Sequence, residues 1–334
     1  DNASLKKLVF VEGLGSVYDK TLREVNIALY LSELYNVKEK ELVEEAVLLS
    51  KADLMSEMVF EFTELQGLMG YYYAKATGKD KLIYTALKEQ YLPDGEDSDL
   101  PSTKFSAIIA LSYKLDSLLG LFSVNKIPTG SKDPFGLRRA AAGIVKIAIE
   151  HKLELNLSNI IDSLIDTYPG LDKKLVIQFF NERLFKIFDV NPSVLKAVLG
   201  SGEEDVFKIS QKLCALNPIV LSADFKEYST TFKRVANIIK DVNTDGTLDI
   251  ITELFEEEAE KKLYTKYVET TSIEYKAYNE ELDALFALKP ELDEFFDKVF
   301  VNHEDVNIKN NRKNLIGLTY QAFKKIADIK EISI

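Results

Sequence analysis

Apolar residues recur along this chain at intervals of three and four, the period of a helix that hides one face. In "LREVNIALYLSELY" the positions Val25, Ala28, Leu29, Leu31 and Leu34 follow that spacing. The stretches "EKELVEEAVLLSKADLMSEMVFEF", "KFSAIIALSYKLDSLLGLF" and "SNIIDSLIDTY" repeat it. Strict apolar–polar alternation, the mark of a half-buried strand, is scarce, and the terminal "ISI" is too short to build a sheet. The pattern predicts an all-α protein. Three polar stretches interrupt it and read as loops: "YLPDGEDSDLPST" (91–103), "NKIPTGSKDP" (125–134) and "DVNTDGTLD" (241–249). No repeat of fixed period is present. The best domain break lies near residue 150, after the helix that follows the second loop, which divides the chain into 1–150 and 151–334.

At 334 residues and 46% apolar content the chain can bury two substantial cores. No apolar run reaches the roughly 18 residues that span a bilayer, and no secretory leader opens the chain, so no membrane partner is expected. The single cysteine, Cys214, rules out an internal disulfide and suits the cytoplasm. Its setting in "QKLCALNP" predicts packing rather than reactivity. A formal net charge of -12 argues against indiscriminate binding of nucleic acid, DNA included, and makes the placement of the cations the informative quantity.

One concentration of cations is the second loop and the helix after it, with Lys126, Lys132, Arg138 and Arg139. Asp133 followed by Pro134 reads as an N-cap and first helical position. Arg138 and Lys146, eight residues apart, share a basic ridge on an otherwise apolar helix. Free N–H groups, the helix dipole and these cations suit an anion. The same cations suit pairing with neighbours among the 54 carboxylates, and spacing does not separate the two readings.

Several chemistries lack their residues. There is no G-x-x-x-x-G-K-[ST] phosphate loop, and "GSGEED" puts two acids where a dinucleotide fingerprint holds pyrophosphate. His151 and His303 are the only histidines, too few for a zinc site or a His-based triad, so neither a metal nor a catalytic residue is assigned. The loop at 241–249 imitates a calcium EF-hand: Asp241, Asn243, Asp245, Gly246 and Asp249 fall at positions 1, 3, 5, 6 and 9. Position 12 is Thr252 instead of the bidentate Glu, and Glu253 comes one residue late. The same residues are those of an ordinary inter-helix turn.

"KADLMSEMVFEFTELQGLMGYYYA" (51–74) and "PTGSKDPFGLRRAAAGIVKI" (128–147) closely resemble the beta subunit of the bacterial two-subunit glycyl-tRNA synthetase. "LKKLVFVEGLGSVYDKTLRE" (5–24) is similar to the segment that opens its HD-like helical domain. "FKEYSTTFKRVANIIKD" (225–241), "LFEEEAEKKLY" (254–264), "LKPELDEFFDKVFVN" (288–302) and "NNRKNLIGL" (310–318) are similar to its C-terminal, DALR-like anticodon-binding domain. The matches are collinear over nearly the whole chain, which begins at Asp1 without Met. The resemblance implies the C-terminal portion of such a subunit, an HD-like domain over 1–150 and an anticodon-binding domain over 151–334. It also implies that a separate alpha subunit carries out aminoacylation with ATP and Mg, so that this chain holds no cofactor. The implied partners are glycine tRNA and that alpha subunit.

An HD phosphohydrolase binds metal through histidines, a His-Asp pair and a later Asp. The matching positions here are Ala52, Asp53 and Asp116, so the metal site is degenerate and both carboxylates are expected to be structural. In the second domain Lys226, Thr230, Lys233, Asn237 and Lys240 share one helix face, opposite Phe225, Tyr228, Phe232, Val235 and Ile239. A last helix over 309–330 carries Lys309, Arg312, Lys313, Lys324, Lys325 and Lys330 against only Asp328. With the resemblance, these cations and Arg234 are expected to meet tRNA phosphates, and Asn237 or Asn311 to reach unpaired bases. Two other functions remain open: a stand-alone HD phosphohydrolase, and a helical scaffold that binds only protein.

Overall fold

The structure, a computed structural model, describes residues 2–333; Asp1 and Ile334, the last residue of the terminal "ISI", lie outside the described residues. As the periodicity predicts, the described chain is helical, apart from one antiparallel hairpin of Val9–Val11 with Gly15–Ser16. It divides into two compact units, residues 1–187 with 205–207, and residues 188–204 with 208–334.

The first unit is organised around the helix Lys104–Ser123, in which nearly every residue is buried. Thr103 starts it by accepting a hydrogen bond from the Ser106 N–H. The helices Val17–Leu34, Lys81–Glu89 and Leu137–Glu150 surround it. This central helix is long and apolar enough to cross a membrane, although the sequence reading found no such run, because Lys104, Lys114 and Asp116 break the apolar string without lowering its average. It is the core of the unit instead. The helix Val17–Leu34 packs on it through Val25, Ala28 and Leu31, and a reciprocal capping box of Ser16 and Asp19 sets its start. Leu34, expected in the same stripe, is 45% exposed at the helix end.

The division between the units falls later than residue 150. The helix Lys173–Ile187 packs on Leu137–Glu150 and on the central helix, with the rings of Phe122 and Phe179 5.2 Å apart. Tyr168 donates a 2.7 Å hydrogen bond to Asp116 of the central helix. These contacts join residues 151–187 to the first core. Sequence periodicity reports that a segment is helical but not which core receives its apolar face.

The second unit packs the helices Phe225–Ile238, Glu258–Thr271, Lys289–Lys298 and Val306–Lys324. Its centre is a set of edge-to-face rings in which Phe232, Phe286 and Phe323 lie 4.9–5.3 Å apart. Such pairs add roughly 0.5–1.5 kcal/mol each beyond simple burial.

Candidate nucleic-acid interface

The helix Phe225–Ile238 is amphipathic in the sense its sequence predicts. Phe225, Phe232 and Val235 are buried, with Ile239 just beyond the helix, and Tyr228 is half-buried. Lys226, Thr230, Lys233, Asn237 and Lys240 are exposed on the other face. Among the described residues no carboxylate pairs with Lys226 or Lys233, while Lys240 donates to the Asn237 side-chain oxygen at 2.9 Å, a neutral acceptor. The positive charge of this face is therefore not cancelled. Arg234 is held differently. Its guanidinium lies 4.5 Å from the centre of the Phe296 ring, donates to the Phe296 carbonyl at 2.9 Å and pairs with Asp297 at 3.3 Å. It is an exposed cation clamped in one place.

The last helix corrects the expectation placed on it. Asn311 and Arg312 are buried, so neither side chain is available to RNA. Asn311 accepts from the Ile251 N–H at 2.8 Å and donates to the Ile251 carbonyl at 3.0 Å, which pins the preceding loop. Arg312 pairs with Glu260 at 3.0 Å and Glu256 at 3.1 Å and donates to the Phe300 carbonyl. Lys313 pairs with Asp241 at 2.9 Å, Lys324 with Asp245 at 3.2 Å and Lys330 with Asp328 at 3.3 Å. Counting cations missed the pairings of Arg312, Lys313 and Lys324 because those partners lie on other segments; the helix itself runs Val306–Lys324, short of the predicted 330, and Lys330 lies beyond it beside Asp328.

The same pairings account for the calcium-like loop. Asp241 and Asp245 are engaged by lysines, and Gln321 donates to the carbonyls of Thr244 and Gly246 at 2.8 Å each. The loop lies against the last helix. Among the described residues no three His, Cys, Asp or Glu side chains come together as a metal site.

In the first unit, the helix that carries the arginine pair starts later than predicted. It runs Leu137–Glu150, with Gly136 at the N-cap in the left-handed region at φ 65°, where glycine is favoured. Asp133 still satisfies the helix end from upstream, accepting from the Leu137 N–H at 2.8 Å and the Arg138 N–H at 3.0 Å. Those two N–H groups are thereby occupied. Arg138 donates to the Gly130 carbonyl at 2.6 Å, Arg139 to the Asp94 carbonyl at 3.4 Å and Lys146 to the Glu96 carbonyl at 2.7 Å. All three bonds stay within the first unit. Lys126 and Lys132 are exposed. Two cations that sequence reasoning did not single out, Arg183 and Lys186, face the same groove from the helix Lys173–Ile187. Their three-residue spacing was a visible signal, but their nearness to Arg138 was not.

The carboxylates read as degenerate HD positions are internal supports. Asp53 is buried and accepts from the N–H groups of Gly67 and Gly70 at 2.7 and 3.1 Å, at the start of the helix Leu68–Ala76; burial holds its carboxyl above the usual range. Asp116 pairs with Lys20 at 2.7 Å and Arg23 at 2.7 Å and accepts from Tyr168. Burial pushes the Asp116 carboxyl up, but Lys20 and Arg23 pull it down further, and the net shift is downward. Lys51 lies 3.4 Å from Glu24 and donates to Gln90 at 2.6 Å. Two buried ammonium groups, Lys20 and Lys51, thus stand among these carboxylates. Cys214, expected to pack, is exposed instead and lines an open hollow of about 680 Å³ with Tyr275 and Tyr278. At about 100° per residue, Leu213 and Leu216 face the core while Cys214 turns outward.

Comparison with known proteins matches residues 1–200 to the family described as "Glycyl-tRNA synthetase beta subunit" and residues 229–334 to the "DALR anticodon binding domain". The chain belongs to the glycyl-tRNA synthetase beta subunit family. The glycine–tRNA ligase beta subunit of Helicobacter pylori strain G27 is 44% identical over the whole chain, which covers 50% of that relative. Those of Rickettsia canadensis and Sulfurihydrogenibium sp. are 37% and 35% identical, over 99% and 98% of the chain. The chain spans about half the length of the curated relatives it matches. Within this beta subunit family, the DALR match takes in Lys233, Arg234, Asn237 and Lys240 of the basic helix.

Proposed function

We propose that this chain is the tRNA-recognition part of a glycine–tRNA ligase beta subunit, and that the exposed face of Phe225–Ile238 holds the anticodon arm of glycine tRNA. The supporting observation is the exposed, unneutralised set Lys226, Lys233 and Lys240 around Asn237, in a chain of net charge -12. Lysines on one helix face meet successive phosphates, and Asn237 offers both a donor and an acceptor to an unpaired base. Arg234, clamped over Phe296, adds a fixed cation at the edge of this face. Aminoacylation with ATP, Mg and glycine belongs in this reading to a separate alpha subunit, and the chain supplies RNA affinity rather than reacting groups. A phosphohydrolase reading loses its support, because Asp53 and Asp116 are committed to helix N–H groups and to internal cations.

The test is binding of glycine tRNA to the alpha–beta assembly over a range of salt concentrations. Lys226→Glu/Lys233→Glu is expected to weaken binding by at least about tenfold and to reduce the salt slope by about 2, as loss of two phosphate contacts requires. Unchanged affinity and slope in a folded variant would show that this face is not the anticodon surface.

A further inference from the structure

Within the first unit, a groove of about 380 Å³ opens between the helices Leu137–Glu150 and Lys173–Ile187 and the loop that includes Pro93 and Glu96. Its lining carries Arg138, Arg139, Lys146, Arg183 and Lys186 against the single carboxylate-bearing residue Glu96. What holds these cations is as informative as their number. Arg138, Arg139 and Lys146 are anchored by backbone carbonyls, which fix the side chains without cancelling their charge. Glu96 contributes its carbonyl, not its carboxylate, to Lys146.

Arg183 is the most telling member. Its Nε is buried with no hydrogen-bond partner, its guanidinium lies 5.6 Å from the Phe179 ring centre, and its nearest carboxylate, on the adjacent Glu182, is 3.8 Å away. Planar guanidinium forks match the oxygens of a phosphate.

We propose that this groove is a second RNA site, which grips the phosphodiester backbone of glycine tRNA outside the anticodon arm. The proposal rests on the tRNA-binding reading above but not on the helix Phe225–Ile238. Nothing in the lining offers the apolar pocket or base-reading amides that sequence-specific recognition uses, so the grip is electrostatic and sequence-tolerant.

The experiment uses the full-length subunit assembled with its alpha subunit and two RNAs: whole glycine tRNA and a minihelix that lacks the anticodon arm. Arg183→Glu/Lys186→Glu is expected to weaken both RNAs by at least about tenfold and to lower both salt slopes by about 2. Lys226→Glu/Lys233→Glu should weaken whole tRNA alone, so failure of either site is read separately. Should the reversal soften the fold in a melting experiment, Arg183→Gln/Lys186→Gln decides, with a smaller loss of both RNAs expected. Unchanged minihelix binding by a folded groove variant overturns the proposal. So does a variant whose only defect is weaker association with the alpha subunit, which would make the groove a surface for an acidic protein.

Discussion

Asp116 is a buried carboxylate whose partners are two cations of another helix. In the HD-like reading it stands where a metal ligand would, and here the charges it answers belong to Lys20 and Arg23. Asp116→Asn leaves those cations buried without their partner and is expected to cost about 3–5 kcal/mol, read as a lower melting temperature. Lys114 has the opposite problem. Its ammonium is buried and held by the carbonyls of Tyr91 and Pro93, and burial pulls its pKa down to about 8 from 10.5. The folded state therefore holds fewer protons than the unfolded state between pH 8 and 10.5, and stability from this group rises with pH across that window. Melting curves from pH 7.5 to 9.5 should show the native chain gaining stability relative to Lys114→Met; parallel curves would contradict this. The identities of residues 53 and 116 were legible in the sequence, but the cations that answer Asp116 come from another helix and were not.

At the level of the element, helical periodicity predicted the helical class and the helices it singled out, and chemistry near their ends predicted the starts less well. The pair Asp133-Pro134 placed the start of the arginine helix three residues before Gly136, where the structure has its N-cap. Asp133 reaches the first N–H groups across an intervening turn, closed by the Gly136 N–H donating to the Asp133 carbonyl at 3.2 Å. Asp133→Ala exposes those N–H groups and is expected to destabilise the first unit by roughly 1 kcal/mol. Thermal unfolding measures that loss, and Asp133→Asn should restore most of it. The basic helix was read correctly, face by face, because burial there follows the 3.6-residue period alone.

For the whole molecule, charge placement matters more than total charge. A chain of net charge -12 gathers cations on the face of Phe225–Ile238 and in the groove of the first unit, where Arg138, Arg139 and Lys146 are held by backbone carbonyls, and pairs most of those on the last helix. Such an arrangement holds a polyanion locally while its overall field disfavours indiscriminate contact. In the proposed reading the reacting groups belong to the alpha subunit. The chain alone is therefore expected to form no glycyl-tRNA from glycine, ATP and tRNA, and aminoacylation should require addition of the alpha subunit. Steady product from the purified chain would contradict that division of labour.

The sequence by itself determined the helical class, the family and the outward face of the basic helix. Each of these depends on local period or on strings of adjacent residues. Tertiary structure alone decided the fate of Asn311, Arg312 and Lys313, which look like an RNA-facing run and instead bond to Ile251, Glu260 and Asp241, between 52 and 72 residues away. It also assigned residues 151–187 to the first core and turned Cys214 to the surface. The convergence of Arg138, Arg139 and Lys146 with Arg183 and Lys186 is of the same kind. Helical period fixes the direction of a side chain about its own axis, and only the packing of one helix on another determines whether that direction leads to solvent, to a carboxylate or to a shared groove.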